Sequence, residues 1–184
     1  MLLQNPESIF HRSGMAYSWN SVTVGWDLRY LVLDDIKNFL LHFLEVHPCV
    51  TNRYISELIL AKDDIDTSAI LKNIFASLKL DYPEKYSSSW NKEWRKWRYC
   101  ILICLIETVH DTEQLLMQVE QVYADLGYPV DMASFIYYMP ATEDTEHLVP
   151  EQARIVLIKK LRQFIDEERI RIADCIDYLP DTLY

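Results

Sequence analysis

Hydrophobic positions in this chain recur mainly at helical spacing, and the most apolar run lies near its middle. Tyr99-Cys-Ile-Leu-Ile-Cys-Leu-Ile106 is hydrophobic on every side rather than along one stripe, as expected of a helix inside a core. Trp90, Trp94 and Trp97 precede it at helical spacing, with Lys92, Glu93, Arg95, Lys96 and Arg98 between them. The pattern predicts a central helix from Trp90 to about His110 that enters amphipathic and becomes buried.

Other elements follow from periodicity and punctuation. Asp34 reads as the N-cap of a helix over 35–46, with Ile36, Phe39, Leu40, Phe43 and Leu44 on one face and Pro48 beyond its end. Thr51 or Asn52 opens a second helix to about Ala61, and Thr67 or Ser68 opens a third carrying Ile70, Leu71, Ile74, Phe75 and Leu78. Asp81 to Ser89 reads as a loop, with Ser89 capping the central helix. Asp111 or Thr112 then starts a helix bearing Leu115, Leu116, Val119, Val122, Tyr123 and Leu126, and Gly127 stands where a left-handed C-cap is expected. Asp131 can cap a short helix, Met132 to Met139, and Pro150 begins a long one to about Asp174, whose apolar positions include Ile155, Leu161 and Phe164. Ser18 to Leu33 fits either a helix after Ser18 or a short strand pair about Gly25. The expected fold is all-α, an irregular multi-helix bundle or short α-superhelix around the central helix, forming one domain over 1–184 with loose ends at about 1–16 and 178–184.

Composition supports this class. The 184 residues include only three glycines, too few for a hairpin-rich β architecture, and half are apolar, which argues against disorder. No charged start followed by a long apolar stretch marks a secretory signal, and the run at 99–106 is well short of the roughly 20 residues that span a bilayer. The expectation is a soluble, cytoplasmic protein with no membrane association. Cys49, Cys100, Cys104 and Cys175 lack disulfide spacing and read as reduced, buried thiols.

Charge is distributed unevenly. Residues 1–98 hold twelve acids against twelve Lys plus Arg, and residues 154–184 hold six against six. The net charge of −10 therefore lies in the interval between Arg98 and Arg154, which contains carboxylates and no lysine or arginine. Within it, Tyr123, Asp125, Tyr128, Asp131, Tyr137 and Tyr138 crowd into sixteen residues, and Glu143, Asp144 and Glu146 follow. Tyrosine offers a large contact area with a polar tip, and carboxylates around it would meet lysines and arginines. The expected site is a partner-binding surface of Asp125, Tyr128, Asp131, Tyr137, Tyr138, Glu143, Asp144 and Glu146 that faces a basic protein. Asp125 and Asp131 could instead be local caps, and Tyr123, Tyr128 and Phe135 could be core. Tyr137 and Tyr138 cannot both face the core from one short helix, so at least one is expected at the surface.

The segment Gln121-Val-Tyr-Ala-Asp-Leu-Gly-Tyr-Pro-Val-Asp-Met-Ala-Ser-Phe-Ile-Tyr-Tyr-Met-Pro140, with Ser18-Trp19 and the Trp/Lys/Arg-rich lead into the apolar run, resembles bacterial proteins of the domain of unknown function family 2247. The resemblance spans roughly 17–172 and implies a helical bacterial protein. It brings no catalytic residues and associates the chain with immunity components of toxin systems.

A non-enzymatic immunity protein that occludes a basic toxin, a nuclease by preference, is therefore expected, with a generic adaptor as one alternative. Another alternative rests on His42, His47, Cys49, His110-Asp111 and Asp174, whose order is loosely similar to helical His-Asp metal phosphohydrolases. Asp111 has a simpler use as a helix cap. No phosphate loop, nucleotide fingerprint, HExxH or calcium-loop spacing occurs, and no cofactor is expected. The negative charge disfavours nucleic acid, although Lys92, Arg95, Lys96 and Arg98 form a small basic patch, better explained by packing and intramolecular pairing.

Overall fold

The computed structural model describes residues 5–62, 65–139 and 147–174. These residues form α-helices joined by short links, with one 3-10 helix and no strand among them. The chain divides into two compact units, Leu2–Trp94 and Arg95–Tyr184, with the boundary inside the longest apolar helix.

The N-terminal unit contains α1 (Pro6–Arg12), α2 (Trp19–Asp27), α3 (Leu33–Val46), α4 (Arg53–Leu60) and α5 (Thr67–Leu78). The first of these lies where a loose arm was expected. Asn5 Oδ1 accepts from the Ser8 amide at 3.1 Å, Pro6 takes the first helical position, and Phe10 is fully buried. The ambiguous stretch after Ser18 is helical, because Ser18 and Ser21 cap each other's amides at 3.3 and 3.1 Å. Ser21 also donates to the buried Glu93 at 2.8 Å. Trp19 lies edge-on to Phe39, Phe43 and Phe75, with centroids 5.0, 5.0 and 6.1 Å away, and this aromatic cluster joins α2, α3 and α5.

Cap positions differ slightly from those expected. Asn52 caps α4, as one of the two candidates, whereas Asp66 rather than Thr67 or Ser68 caps α5. At α3 the Asp35 carboxylate accepts from the Val32 amide at 2.8 Å, so the helix starts one residue before Asp34. Cys49 is exposed, not buried as expected, because it follows Pro48 in the turn after α3.

The central helix, α6 (Ser88–Thr108), starts from Ser87, whose Oγ accepts the Trp90 amide at 3.2 Å, rather than from Ser89. Beyond the boundary, Trp97, Cys100, Ile101 and Leu102 of α6 are buried. With α7 (Thr112–Asp125), the 3-10 helix (Val130–Phe135) and α8 (Pro150–Asp174), the part of α6 from Arg95 onward makes up the C-terminal unit. Its α8 packs on both α7 and the 3-10 helix. Leu161, Phe164, Ile165 and Ile172 of α8 are buried, but Ile155, expected on that apolar face, is exposed. None of the helices is long and apolar enough to cross a membrane, among the described residues.

Candidate functional site

Arg98 sits one position before the apolar run, so burying Tyr99 to Leu102 carries its side chain into the C-terminal unit as well. Nothing of that side chain is exposed. One guanidinium nitrogen donates to Asp131 Oδ1 at 2.8 Å and the other to Glu168 Oε1 at 2.5 Å. The guanidinium also lies 4.8 Å from the Phe164 ring centroid, and Phe164 packs on Phe135 of the 3-10 helix with centroids 5.0 Å apart. Arg95 approaches Glu168 at 3.4 Å and Arg171 at 3.8 Å. A planar fork with fixed donors suits such a bridge, because a charge taken from water requires several well-aimed partners. Arg98 thereby ties α8 and the 3-10 helix to α6.

The tyrosines gather at the C-terminal end of α7. That helix closes with a Schellman turn: the Tyr128 amide donates to Tyr123 O at 2.9 Å and the Gly127 amide to Ala124 O at 3.0 Å. Gly127 takes the left-handed φ of +79° that the turn requires, as the sequence predicts. The turn brings Tyr128 edge-on to Tyr123 at 5.3 Å, and Tyr138 approaches Tyr123 from the following loop at 6.4 Å. Tyr123 is buried, whereas Tyr128, Tyr137 and Tyr138 are 60%, 46% and 56% exposed. The surface therefore has a buried tyrosine as its floor and accessible rings above it.

Glu120, one helical turn before Tyr123, anchors the loop. The backbone amides of Tyr138 and Tyr137 hydrogen-bond to its carboxylate. Desolvation raises its pKa above the ordinary glutamate value, outweighing those hydrogen bonds, which pull it down. Tyr138 is raised as well, by desolvation and then by the nearby Tyr123, Tyr128 and Glu120. At the other side of the loop, Arg154 on the first turns of α8 pairs with Glu113 at 3.3 Å and lies over the Tyr137 ring at 5.7 Å.

The eight residues expected to bind a partner thus have different positions. Tyr128 and Tyr138 pack around Tyr123, and Tyr137, next to Tyr138, is exposed with its ring beside Arg154. Asp125 is half-buried and accepts from Gln121 at 2.7 Å. Asp131 does not cap a helix from Met132 to Met139. It lies inside a 3-10 helix that ends at Phe135, and its carboxylate turns to Arg98 while remaining 41% exposed. Glu143, Asp144 and Glu146 lie outside the described residues. The internal pairing of Arg98 agrees with the reading of the basic patch, whereas Glu120, Glu168 and Arg154 are not among the residues the sequence singles out. The only signal for Glu120 is its helical i, i+3 spacing from Tyr123.

Asp111, His42 and His47 of the metal-enzyme alternative have separate local uses, and the Asp174 side chain lies outside the described residues. Asp111 Oδ1 caps α7 by accepting the Gln114 amide at 2.8 Å, and His110 beside it is exposed. In the N-terminal unit, exposed His42 faces Glu45 at 3.7 Å and His47 packs its ring on Phe43 at 4.7 Å. No three His, Cys, Asp or Glu side chains gather to hold a metal ion among the described residues.

No curated protein and no solved structure matches the chain. A family model described as "uncharacterized protein conserved in bacteria (DUF2247)" matches residues 8–169, starting earlier than the resemblance in the sequence suggested. With that match running from α1 to α8, the chain belongs to the DUF2247 family of bacterial proteins.

Proposed function

We propose that this protein is a non-enzymatic binding protein that engages a basic protein through the tyrosine surface of its C-terminal unit. The supporting observation is the grouping of exposed Tyr128 and Tyr138 around buried Tyr123, with exposed Tyr137 next to Tyr138, in an interval that has no lysine or arginine from 99 to 153. Aromatic rings with few rotatable bonds supply the packed centre of an interface at low entropic cost, and the surrounding carboxylates speed encounter with cations and reject acidic competitors. The more specific role is that of an immunity protein, present in the cytoplasm and occluding the cationic cleft of a toxin nuclease.

The internal pairing of Asp131 with Arg98 moves the weight of recognition from that carboxylate to the tyrosines. Charge reversal at Glu143, Asp144 and Glu146 is expected to slow association with the basic partner and flatten its salt dependence. Tyr128→Ser with Tyr138→Ser is expected to accelerate dissociation instead. Unchanged association rate and salt slope in the first variant would remove these three carboxylates from the interface, and unchanged dissociation in the second would remove the tyrosines.

A further inference from the structure

The two arginines that bound the interval without lysine or arginine both fold back onto its carboxylates, in different ways. Arg98 is fully buried between two carboxylates. Arg154 is 30% exposed, pairs with a single carboxylate that is itself 63% exposed, and reaches the Tyr137 ring only at 5.7 Å. Removing Arg98 from its partners would open the core, whereas moving Arg154 aside exposes only groups already close to water.

Glu113 and Tyr137 together make a seat for a guanidinium, with a carboxylate to accept its hydrogen bonds and an aromatic face to stack on. We propose that this seat is where the basic partner inserts an arginine side chain, and that Arg154 fills it in the free protein as an internal competitor. The inference rests on the tyrosine surface being the interface, since Tyr137 adjoins Tyr138 within it. An exposed ion pair and an exposed cation–π contact are each weak, so displacing Arg154 costs the partner about tenfold or less in affinity. That cost recurs for any ligand of the seat, and a ligand unable to stack recovers less of it. The seat therefore favours arginine over lysine, whose ammonium is a compact, strongly hydrated point charge.

The test is titration of the full chain with two peptides, one of alternating glycine and arginine and one of alternating glycine and lysine. Binding is followed through the ring resonances of Tyr137 and Tyr138. Arg154→Gln is expected to bind the arginine peptide about three- to tenfold more tightly than the unaltered protein, with a smaller gain for the lysine peptide. Glu113→Gln removes the acceptor, so the gain should vanish in the Glu113→Gln/Arg154→Gln double variant. Equal or weaker arginine-peptide binding by Arg154→Gln overturns the seat. If that occurs while Tyr128→Ser/Tyr138→Ser still abolishes binding, the tyrosine surface stands without the seat. Absence of peptide binding by both the unaltered protein and Arg154→Gln overturns the seat and the surface together.

Discussion

Arg98 and Glu168 meet at 2.5 Å on two different helices, and neither side chain has any exposed surface. Burying such a pair sacrifices hydration on both sides, so its net worth is small while the cost of leaving one partner behind is large. Glu168→Gln alone is expected to destabilise the protein by about 3–5 kcal/mol in urea unfolding. Arg98→Met combined with Glu168→Leu should cost clearly less than the two single changes added together. Strict additivity would mean that the two residues do not act as a unit.

Asp131 holds the same arginine at 2.8 Å but keeps 41% of its side chain in water. Asp131→Asn should therefore cost nearer 1 kcal/mol, and raised salt should reduce the loss. A penalty as large as that of Glu168→Gln, measured in the same urea titration, would place Asp131 in a far drier setting than its exposure indicates.

Asp111 is a helix cap by geometry, and Asp111→Ala should lower stability by about 1 kcal/mol through loss of the Gln114 amide contact. Metal analysis of the purified protein discriminates this role from a catalytic one. Stoichiometric transition metal that disappears on His110→Ala would contradict the binding-protein reading and favour a metal-dependent hydrolase.

Glu120 gives stability a pH dependence whose sign follows from its desolvation. Its folded-state pKa is raised, chiefly by desolvation, so the folded protein holds the proton more tightly than the unfolded chain. The stability it contributes is fully present below the ordinary glutamate pKa and is lost as pH rises through the raised folded value. Unfolding midpoints of the unaltered protein and Glu120→Gln, compared from about pH 4 to 7, should therefore shift steadily in favour of the variant as pH increases. A shift in the opposite direction would mean that the Tyr138 and Tyr137 amides outweigh desolvation.

The helices whose apolar stripes and caps lie close together in sequence were legible before the structure was known. Asp111, Gly127 and Pro150 mark boundaries that the fold uses, since each acts through backbone groups within a few residues. Pro6–Arg12 is hard to read from the residues because seven of them give barely two turns of periodicity, although Asn5 and Pro6 carry a start signal. The 3-10 helix Val130–Phe135 replaces the expected helix Met132 to Met139, and nothing local reveals that Asp131 turns from capping to a partner 33 positions away. The same limit applies to the site. Clustering of tyrosines can be read along the chain, but the Arg98–Glu168 bridge spans 70 positions and depends on tertiary packing.

The most direct measurement is a pull-down from the bacterial source cell with the unaltered protein and with Tyr128→Ser/Tyr138→Ser in parallel, each checked for intact helicity. Products of neighbouring genes would be tested as candidate partners. The account predicts a 1:1 complex between the unaltered protein and a basic protein, lost or strongly weakened in the double variant. Retention of the same complex by the double variant, or recovery of a partner without a basic surface, would contradict it.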